Sequence, residues 1–400
     1  MTEEEFLILK SPEARKLIGE NMDADPTKLA LTLKCESTLS RAVCGQVKYL
    51  QRSQAKLPSY YAAGCIIHPL AYEQCSSEAA AAAKNYSGKL CIDLTCGLGV
   101  DSFHFSKNFG RVISVEKKRV LAEIAGYNFT LLYAENISVV NRAAEEFLAS
   151  YRGEKASLIF ADPARRGSRG EKLVMAEDCS PDVVSLMPLM LEKAEKALIK
   201  LSPMFDVEEA MNVFSPYVSK VKTVSVRGEC KELLVELSKD SEESVVEIDI
   251  IGGKRYVFRK EDIGKKRNDV IAPESLAGKY LLIPDAGFYK NRLVAALFEK
   301  YFPQSGAAIA SENGFCFADS IPEGFPGRAF HIEEIAEYRP KRLKKRMKED
   351  GVKRINVLRR DFPSPSAEIC KSLGVAEGGS ANLAFTKIGA KAFVLLLGNK

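Results

Sequence analysis

The chain lacks several features that would assign it to a specialised class of protein. Its 400 residues contain no internal repeat and no low-complexity tract. No apolar run approaches the roughly 20 residues that a membrane-spanning helix needs, and the best one, residues 392–397, has the length of a buried strand. The first ten residues are acidic and then mixed, without the basic start and apolar core of a signal peptide. We therefore expect a cytoplasmic protein.

The cysteines are numerous but are not arranged as metal ligands. None of the ten forms a Cys-x-x-Cys pair, so no structural zinc site is expected. Several fall inside predicted elements, such as Cys91 in a strand and Cys370 in a helix. Free and mostly buried thiols in a reducing compartment fit this distribution.

The net charge of +5 is unevenly distributed along the chain. Residues 325–400 hold 16 lysines and arginines against 8 acidic residues, a net charge of +8, whereas the rest of the chain carries −3. A polyanion would therefore bind to the C-terminal segment.

Hydrophobic periodicity divides the chain into four predicted segments. Residues 1–75 have apolar positions at helical spacing, and residues 76–276 alternate strand and helix at intervals typical of βαβ units. This alternation predicts an α/β fold, a parallel sheet with helices on both faces. Residues 277–324 predict a small ferredoxin-like α+β module, and residues 325–400 a basic α+β module that ends in a hairpin.

A strand, a glycine turn and a helix follow one another around residues 92–102, which read Ile-Asp-Leu-Thr-Cys-Gly-Leu-Gly-Val-Asp-Ser. Glycine allows a tight turn close to a ligand, and the helix N-terminus offers free N–H groups. A dinucleotide fingerprint would have a third glycine where Ser102 stands, and Asp93 would repel a pyrophosphate but attract an ammonium group. S-adenosylmethionine (SAM) has such a cationic end. Glu116, 17 residues beyond Gly99 at the end of the next predicted strand, is suited to both hydroxyls of a ribose.

These residues resemble the first two motifs of the class I SAM-dependent methyltransferases, and the resemblance covers about residues 76–255. It implies a Rossmann-like methyltransferase sheet with SAM as the cofactor. It also implies an adenine contact for the asparagine that follows the third predicted strand. The predicted cofactor-binding residues of this stretch are Asp93, Thr95, Gly97, Gly99, Asp101, Glu116 and Asn141.

The segment before the first strand, residues 72–78, is similar to the segment that closes over SAM in methyltransferases acting on RNA caps and other nucleic acids. That resemblance adds Ser76 and Ser77 to the cofactor site. The alternative is that one of these serines only caps the alanine-rich helix that follows.

The fourth predicted strand runs into Asp162-Pro163-Ala164-Arg165. This run resembles the Asp-Pro-Pro motif of nucleic acid methyltransferases, in which the acid and nearby carbonyls hold an exocyclic amino group. The resemblance implies catalytic roles for Asp162 and Pro163. Arg165 stands near the usual aromatic position and would stack on a base or bind phosphate. The alternative is a plain turn with solvated arginines.

The same run is similar to the Asp-Pro-Pro-Arg-x-Gly motif of the uridine C5 methyltransferases. Those enzymes need a cysteine nucleophile after the fifth strand, and residues 200–206 contain none. Carbon methylation by that route is therefore not expected, and a base nitrogen is the predicted acceptor.

Residues 339–348 form a predicted basic helix with Leu343 and Met347 as its apolar anchors. The C-terminal segment resembles the THUMP-like domain that follows methyltransferase domains in a largely uncharacterised bacterial group. The resemblance implies RNA, either tRNA or rRNA, as the partner, and a solvated helix face is the alternative. The predicted RNA contacts are Lys341, Lys344, Lys345 and Lys348.

Taken together, the sequence predicts a SAM-dependent RNA methyltransferase. A second hypothesis is an RNA-binding protein whose methyltransferase domain is catalytically degenerate. A dinucleotide oxidoreductase is disfavoured by Asp93 and Ser102, as argued above.

Overall fold

The computed structural model describes residues 1–165, 179–240, 244–267 and 269–398. The chain forms two compact units, the first from residues 1–224 and 231–244 and the second from residues 225–230 and 245–400. The side chain of Arg165 lies outside the described residues.

Six helices lie within residues 1–75, where the sequence predicts a helical region, and a seventh follows before the first strand. Four of them have proline in their first turn, where the missing N–H costs no hydrogen bond. The helices are α1 (Glu3–Lys10), α2 (Pro12–Glu20), α3 (Pro26–Thr32), α4 (Ser37–Lys56), α5 (Pro58–Ala62), α6 (Pro69–Gln74) and α7 (Glu78–Ala82).

The first unit contains the predicted Rossmann-like sheet. Its strands are β1 (Gly88–Asp93), β2 (Phe109–Glu116), β3 (Ile137–Asn141), β4 (Ala156–Ala161), β7 (Ala194–Leu201), β8 (Val218–Val226) and β9 (Glu229–Ser238), with the short pair β5 (Ala164–Arg165) and β6 (Cys179–Ser180) beside them in sequence. Its remaining described helices are α8 (Val100–Ser106), α9 (Arg119–Leu131), α10 (Ala144–Ser150), α11 (Val183–Lys193) and α12 (Val207–Val213).

These strands pair in the order β8-β9-β7-β4-β1-β2-β3. The neighbours from β3 to β7 are parallel, which confirms the predicted α/β fold class. Strand β9 runs antiparallel to β7 and was not predicted as a strand. The parallel pairing brings the carboxyl ends of β1, β2, β4 and β7 to one edge, where ligands of open α/β sheets bind.

One hydrophobic core joins the N-terminal helices to the sheet region. Val43 and Tyr60 from α4 and α5 belong to the same buried cluster as Phe103, Ile124 and Phe129 from α8 and α9. The predicted domain boundary after residue 75 therefore does not interrupt this core.

The second unit begins with an antiparallel hairpin, β10 (Val245–Ile250) and β11 (Arg255–Arg259). Eight further strands of its described residues pair in the order β13-β14-β12-β15-β19-β18-β16-β17. These are β12 (Tyr280–Pro284), β13 (Ala308–Ile309), β14 (Cys316–Ala318), β15 (Gly327–Glu337), β16 (Arg354–Arg359), β17 (Ala376–Glu377), β18 (Ala381–Ile388) and β19 (Lys391–Leu397). The helices are α13 (Ala286–Lys290), α14 (Val294–Tyr301), α15 (Pro340–Glu349) and α16 (Ser366–Leu373).

Strands β12 and β15 pair with each other, although the predicted module boundary near residue 325 lies between them in sequence. The three boundaries between the predicted segments stay predictions. Within the second unit, Leu343 and Met347 anchor the basic helix α15 in a core that includes Ile355 and Phe385, as the sequence predicted. No helix of the described residues combines the length and the apolar character that crossing a bilayer requires.

Candidate cofactor and acceptor site

The turn between β1 and α8 depends on two glycines with left-handed backbone angles. Gly97 has φ +56° and Gly99 has φ +86°, conformations that other residues rarely adopt. A Cβ atom at Gly99 would lie 2.5 Å from the ring of Phe129, so glycine is needed there for packing. A Cβ atom at Gly97 would have the Thr95 carbonyl oxygen at 3.8 Å as its nearest neighbour. The backbone around Gly97 is therefore open to a ligand.

Asp93 lies buried beneath this turn at the end of β1. Its carboxylate accepts hydrogen bonds from the Thr95 N–H at 2.9 Å and from the Ser102 hydroxyl, and Ser114 in turn donates to Ser102 at 2.6 Å. Burial raises the pKa of Asp93 to about 7, against the lowering effect of these hydrogen bonds. In this structure Asp93 fixes the shape of the turn, and its predicted contact with an ammonium group stays a prediction.

Glu116 ends β2 beside the turn, at the strand end where the sequence predicted it. Its contact with a ribose stays a prediction. Its Oε2 accepts the N–H of Gly97 at 3.0 Å, and its Oε1 accepts the N–H of Lys118 at 2.9 Å. Asn141, at the end of β3, donates from Nδ2 to the carbonyl oxygen of Glu116 at 2.8 Å and to that of Lys117 at 3.2 Å. Asn141 thus holds the chain that follows β2, and its predicted adenine contact is untested.

Five ionisable side chains form an alternating series of charges next to the turn, which we name the ionic chain: Asp101, Lys84, Glu232, Lys200 and Asp162. Lys84 Nζ lies 2.8 Å from Oδ1 of Asp101 and 2.6 Å from Oε2 of Glu232. Lys200 Nζ lies 3.7 Å from Oε1 of Glu232 and 2.6 Å from Oδ2 of Asp162. Three carboxylates and two ammonium groups give the chain a net charge of −1 in their ordinary charge states. That excess favours a cationic ligand.

Side-chain exposure increases along the ionic chain from Lys84 to Asp162. The side chain of Lys84 is fully buried and that of Lys200 is 12% exposed, whereas that of Asp162 is 32% exposed. Burial by itself lowers the pKa of both lysines, but the surrounding carboxylates raise each pKa above its ordinary value. Burial, together with the negative charges of Asp101 and Glu232, raises the pKa of Asp162 above its ordinary value although Lys200 lowers it. The open end of the chain is therefore a carboxylate with a raised pKa beside a firmly protonated lysine.

The pKa of Asp101 shifts in the opposite direction. Burial raises it, but Lys84 and Lys200 lower it by more, so the net shift is downward. Asp101 therefore stays ionised at neutral pH.

Ser76 and Ser77, predicted together, have different environments. The buried Ser76 Oγ lies 2.9 Å from Oδ2 of Asp101, 2.8 Å from Oε1 of Glu232 and 3.2 Å from Nζ of Lys200. Ser77 is the N-cap of α7, and its hydroxyl accepts the N–H of Ala80 at 3.2 Å. Ser77 thus caps α7, whereas Ser76 contacts members of the ionic chain. The predicted cofactor contacts of both serines stay predictions.

The sequence analysis did not identify Lys84, Lys200 or Glu232. The available signal was a charged residue close to the end of an apolar run, as in the Ala-Leu-Ile-Lys-Leu of β7. Lysine is rarely buried without a charged partner, so such a position points to a nearby carboxylate. The partners themselves are far away in sequence.

Pro163 directly follows Asp162, and Arg165 stands three residues after Asp162. The short strand β5 that contains Arg165 pairs in antiparallel register with β6. Pro163 is buried and Ala164 is exposed. The structure therefore describes the side chains of the predicted acceptor motif only as far as Ala164.

The described thiols and carboxylates offer no metal centre and no activated nucleophile near this edge. No group of three or more His, Cys, Asp or Glu side chains within the described ranges is arranged to hold a metal ion. Cys75 directly precedes Ser76 in sequence, and burial raises the pKa of its thiol to about 11. Such a thiol is protonated at neutral pH and is a poor nucleophile.

In the second unit, the basic helix α15 exposes the predicted RNA contacts. The side chains of Lys341, Lys344, Lys345 and Lys348 are all exposed. Arg346 instead pairs with Glu334, with Nη1 and Oε1 2.7 Å apart. The four lysines give the solvent-facing side of α15 a concentrated positive charge.

Comparison with known proteins gives independent information on both parts of the chain. Residues 327–399 match a family model described as THUMP domain-like. The crystal structure of a "putative methyltransferase" from Porphyromonas gingivalis W83 superposes with a TM-score of 0.82 at 24% identity, over 99% of this chain and 98% of that one. The chain therefore has a methyltransferase fold followed by a THUMP domain-like segment.

Curated relatives match a shorter part of the chain. A tRNA/tmRNA (uracil-C(5))-methyltransferase of Shewanella amazonensis is 33% identical over 126 residues, which cover 26% of this chain and 34% of the relative. The protein of the same name from an Enterobacter species is 30% identical over 115 residues, or 23% of this chain and 31% of the relative. The chain thus spans about a third of the length of the curated relatives it matches.

Proposed function

We propose that this chain, in which a class I methyltransferase fold is followed by a THUMP domain-like segment, transfers a methyl group from SAM to RNA in the cytoplasm. The observation that carries the proposal is the arrangement around the glycine turn. An open backbone at Gly97, a ribose-competent carboxylate at Glu116 and the anionic ionic chain lie at the ligand-binding edge of the sheet.

The residues of this edge fit SAM in shape and in charge. A Cβ atom at Gly97 would have only the Thr95 carbonyl oxygen within 4 Å, at 3.8 Å, so the backbone there leaves room for a nucleoside. The net charge of −1 on the ionic chain complements a cofactor with a cationic sulfonium. When bound, SAM supplies an electrophilic methyl carbon, and the chain's own residues need only bind, orient and accept a proton.

RNA as the substrate is supported by the second unit and by the relatives. The exposed lysines Lys341, Lys344, Lys345 and Lys348 suit a phosphate backbone. The curated relatives are named as tRNA/tmRNA methyltransferases, and this favours tRNA over rRNA. Arg165 follows the acceptor motif and would contact a base or a phosphate, so Arg165→Ala should raise the RNA concentration required for half-maximal rate.

The relatives methylate carbon 5 of uracil, as their names state, but the described residues around Asp162 offer no thiolate for the same route. That chemistry needs a thiolate that adds to the pyrimidine ring. The loop after β7, residues 202–206, has no cysteine, and Cys75 has a pKa of about 11. The sequence alone predicts a base nitrogen as the acceptor, with Asp162 and Pro163 holding the amino group.

The alternative is an RNA-binding protein in which the methyltransferase domain is only structural. Loss of function would be expected to erode the strained glycine turn and the buried charges first, because both are costly to keep. The Gly97 N–H bonds to Glu116, and the five members of the ionic chain form a continuous series of ion pairs. This integrity favours the enzyme.

The test is tritium transfer from labelled SAM to RNA purified from a strain that lacks the gene. We expect incorporation with the wild-type chain. Asp162→Ala should abolish it while calorimetry gives a SAM affinity within about tenfold of wild type, because Asp162 lies on the acceptor side. SAM binding without transfer to any RNA would favour the degenerate alternative, and full activity of Asp162→Ala would refute the role of Asp162.

A further inference from the structure

We propose that the acceptor atom is a ribose hydroxyl oxygen of the RNA, held between the Lys200 ammonium and the Asp162 carboxylate, and not a base nitrogen. The inference rests on the proposed function, since it names the acceptor for the same site. It departs from the base nitrogen that the sequence alone predicts.

Lys200 and Asp162 form the most exposed end of the ionic chain. Asp162 directly follows β4 and Lys200 is the penultimate residue of β7, so the two parallel neighbours present them at the same edge. Their charged atoms lie 2.6 Å apart, and Asp162 is the most exposed member of the ionic chain. A substrate that reaches this edge therefore meets an ammonium and a carboxylate together.

The hydrogen-bonding capacity of this pair matches a hydroxyl group. An ammonium group only donates and an ionised carboxylate only accepts, whereas a hydroxyl does both through one oxygen. An exocyclic amino group presents N–H donors, which the Lys200 ammonium would repel. The ribose 2′-hydroxyl is the group that an RNA chain offers as donor and acceptor at every nucleotide.

The residue that follows the Asp162-Pro163 step has no aromatic ring to stack on a base. Amino-base enzymes place an aromatic ring after the Asp-Pro step to stack the base, and position 164 of this chain is an exposed alanine. A sugar needs no such ring. The absence of an aromatic side chain at this step and the presence of the ammonium point to the same acceptor.

The reaction balances with groups that the chain and SAM supply. The hydroxyl oxygen attacks the methyl carbon in line with the C–S bond. The C–O bond forms as the C–S bond breaks, the electron pair stays on sulfur, and the hydroxyl proton passes to the Asp162 carboxylate. Lys200 stays protonated and stabilises the negative charge that develops on oxygen. The products are a methyl ether, S-adenosylhomocysteine and a proton, which Asp162 releases to water.

Glu232 and Lys84 of the ionic chain, together with Ser76, are positioning residues for Lys200. Glu232 lies 3.7 Å from Lys200 and is itself held by Lys84 at 2.6 Å. The Ser76 hydroxyl lies within 3.4 Å of both lysines and also contacts Glu232. Ser76 and Glu232 thus fix two directions of the Lys200 ammonium, and its third donor bonds to Asp162 at 2.6 Å. A bound hydroxyl would take the place of that direct bond and contact both groups.

The decisive experiment uses the wild-type chain and identifies the product. RNA labelled with tritiated SAM is hydrolysed in alkali, which cuts next to every free 2′-hydroxyl. A 2′-O-methyl group blocks that cut, so we expect the label in an alkali-stable dinucleotide. Mass spectrometry of the nucleosides should then place the methyl on ribose. Label in mononucleotides, with the methyl on a base nitrogen or carbon, overturns the acceptor assignment and leaves the proposed function intact. No label in any RNA overturns both.

Substitutions of Lys200 test its part in the step. Lys200→Gln should lower the transfer rate by about 100-fold or more, as expected for removal of one donor to a developing oxyanion. The matched control is Lys196→Gln, four residues before Lys200 on the same strand. Lys196 pairs with Glu236 at 3.0 Å and is not a member of the ionic chain. The control should keep its rate. Equal rates for the two variants would refute the assignment. Thermal melts and calorimetric SAM binding confirm that each variant is folded.

Glu232→Gln provides a readout that a purely structural residue would not change. The charged and titratable groups that act on Asp162 are Lys200, Asp101, Glu232 and Asp93, and the negative charge of Glu232 raises the pKa of Asp162. Removing that charge should move the acidic limb of the pH–rate profile to lower pH, while the KM for SAM stays within about threefold. A lower rate with an unshifted limb would reduce Glu232 to a structural role and contradict this part of the proposal.

Discussion

The hydroxyl oxygen of Thr95 accepts a hydrogen bond of 2.7 Å from the backbone N–H of Asp162. Thr95 belongs to the glycine turn on the cofactor side, and Asp162 is the open end of the ionic chain on the acceptor side. A second bond, from the Leu94 N–H to the Phe160 carbonyl oxygen at 2.9 Å, reinforces the same junction. One side-chain bond and one backbone bond thus hold the two halves of the site in register.

Thr95→Val should therefore lower the rate of methyl transfer by roughly 10- to 100-fold, because it removes the acceptor for the Asp162 N–H and frees the acidic side chain to shift. SAM affinity should change much less. Steady-state kinetics with RNA and calorimetry with SAM separate the two effects. Thr95→Ser keeps the hydroxyl and is the control. A Thr95→Val variant with wild-type rate would show that the junction does not position Asp162.

Asp93→Ala and Gly97→Val should each weaken the binding of SAM and of its demethylated product by at least about tenfold. The first leaves the Thr95 N–H and the Ser102 hydroxyl without their acceptor. The second forces a β-branched residue to φ +56°. Titration calorimetry is the measurement. Gly45→Ala is the control, since a Cβ atom there meets nothing within 4 Å. Tight NAD binding in the absence of SAM binding would overturn the cofactor assignment.

Asp93 should also contribute a pH dependence to stability. Its pKa rises from 3.8 to about 7 on burial, so the folded chain binds the proton more tightly than the unfolded chain does. The free energy of unfolding should then fall as pH rises from about 4 to about 7, by up to roughly 4 kcal/mol for this group.

In Asp93→Asn this loss should be absent, so the variant gains stability relative to wild type across that window. Urea unfolding at several pH values measures the difference. Asp23→Asn, at an exposed position, controls for the loss of one negative charge. A difference between Asp93→Asn and wild type that does not change with pH would show that Asp93 is ionised throughout.

Replacing the four exposed lysines of α15, Lys341, Lys344, Lys345 and Lys348, by alanine should weaken RNA binding and reduce its salt dependence. If each contacts a phosphate, the slope of log affinity against log salt falls by about three, at roughly 0.7 to 0.9 per contact. Gel shifts over a salt series measure both. Removing Lys16, Lys28, Lys34 and Lys48, exposed lysines of the first unit, takes away the same charge and should have a smaller effect. If the two sets of substitutions had equal effects on RNA affinity and salt slope, the lysines of α15 would be only a solvated helix face.

The parts of the site that lie close together in sequence could be predicted. Asp93, Gly97 and Gly99 fall within one strand–turn–helix unit, whose conformation depends on local chemistry. The parallel strands β1, β2, β3 and β4 were recognisable because each is a short apolar run followed by a helix or a turn. The sheet and the glycine turn followed from these patterns.

The acceptor side depends on contacts across long stretches of chain, and these could not be predicted. Ser76 and Glu232 are 156 residues apart in sequence, yet they lie 2.8 Å apart. Glu232 belongs to β9, whose continuous apolar run, residues 233–235, does not distinguish a buried strand from a buried helix. Because β9 was missed, its pairing with β7 was missed, and Lys200 had no visible partner.

The core that α4 and α5 share with α8 and α9 bears on how this protein can be divided or recombined. A fragment beginning at residue 76 would contain every proposed cofactor contact, yet it would expose Phe103, Ile124 and Phe129 to water. Tyr60 also donates from its hydroxyl to the carbonyl oxygen of Leu98, between the two glycines of the turn. For a protein engineer, the smallest transplantable catalytic module therefore begins at the first helix, and a fusion that replaces residues 1–75 must supply a new apolar surface for α8 and α9.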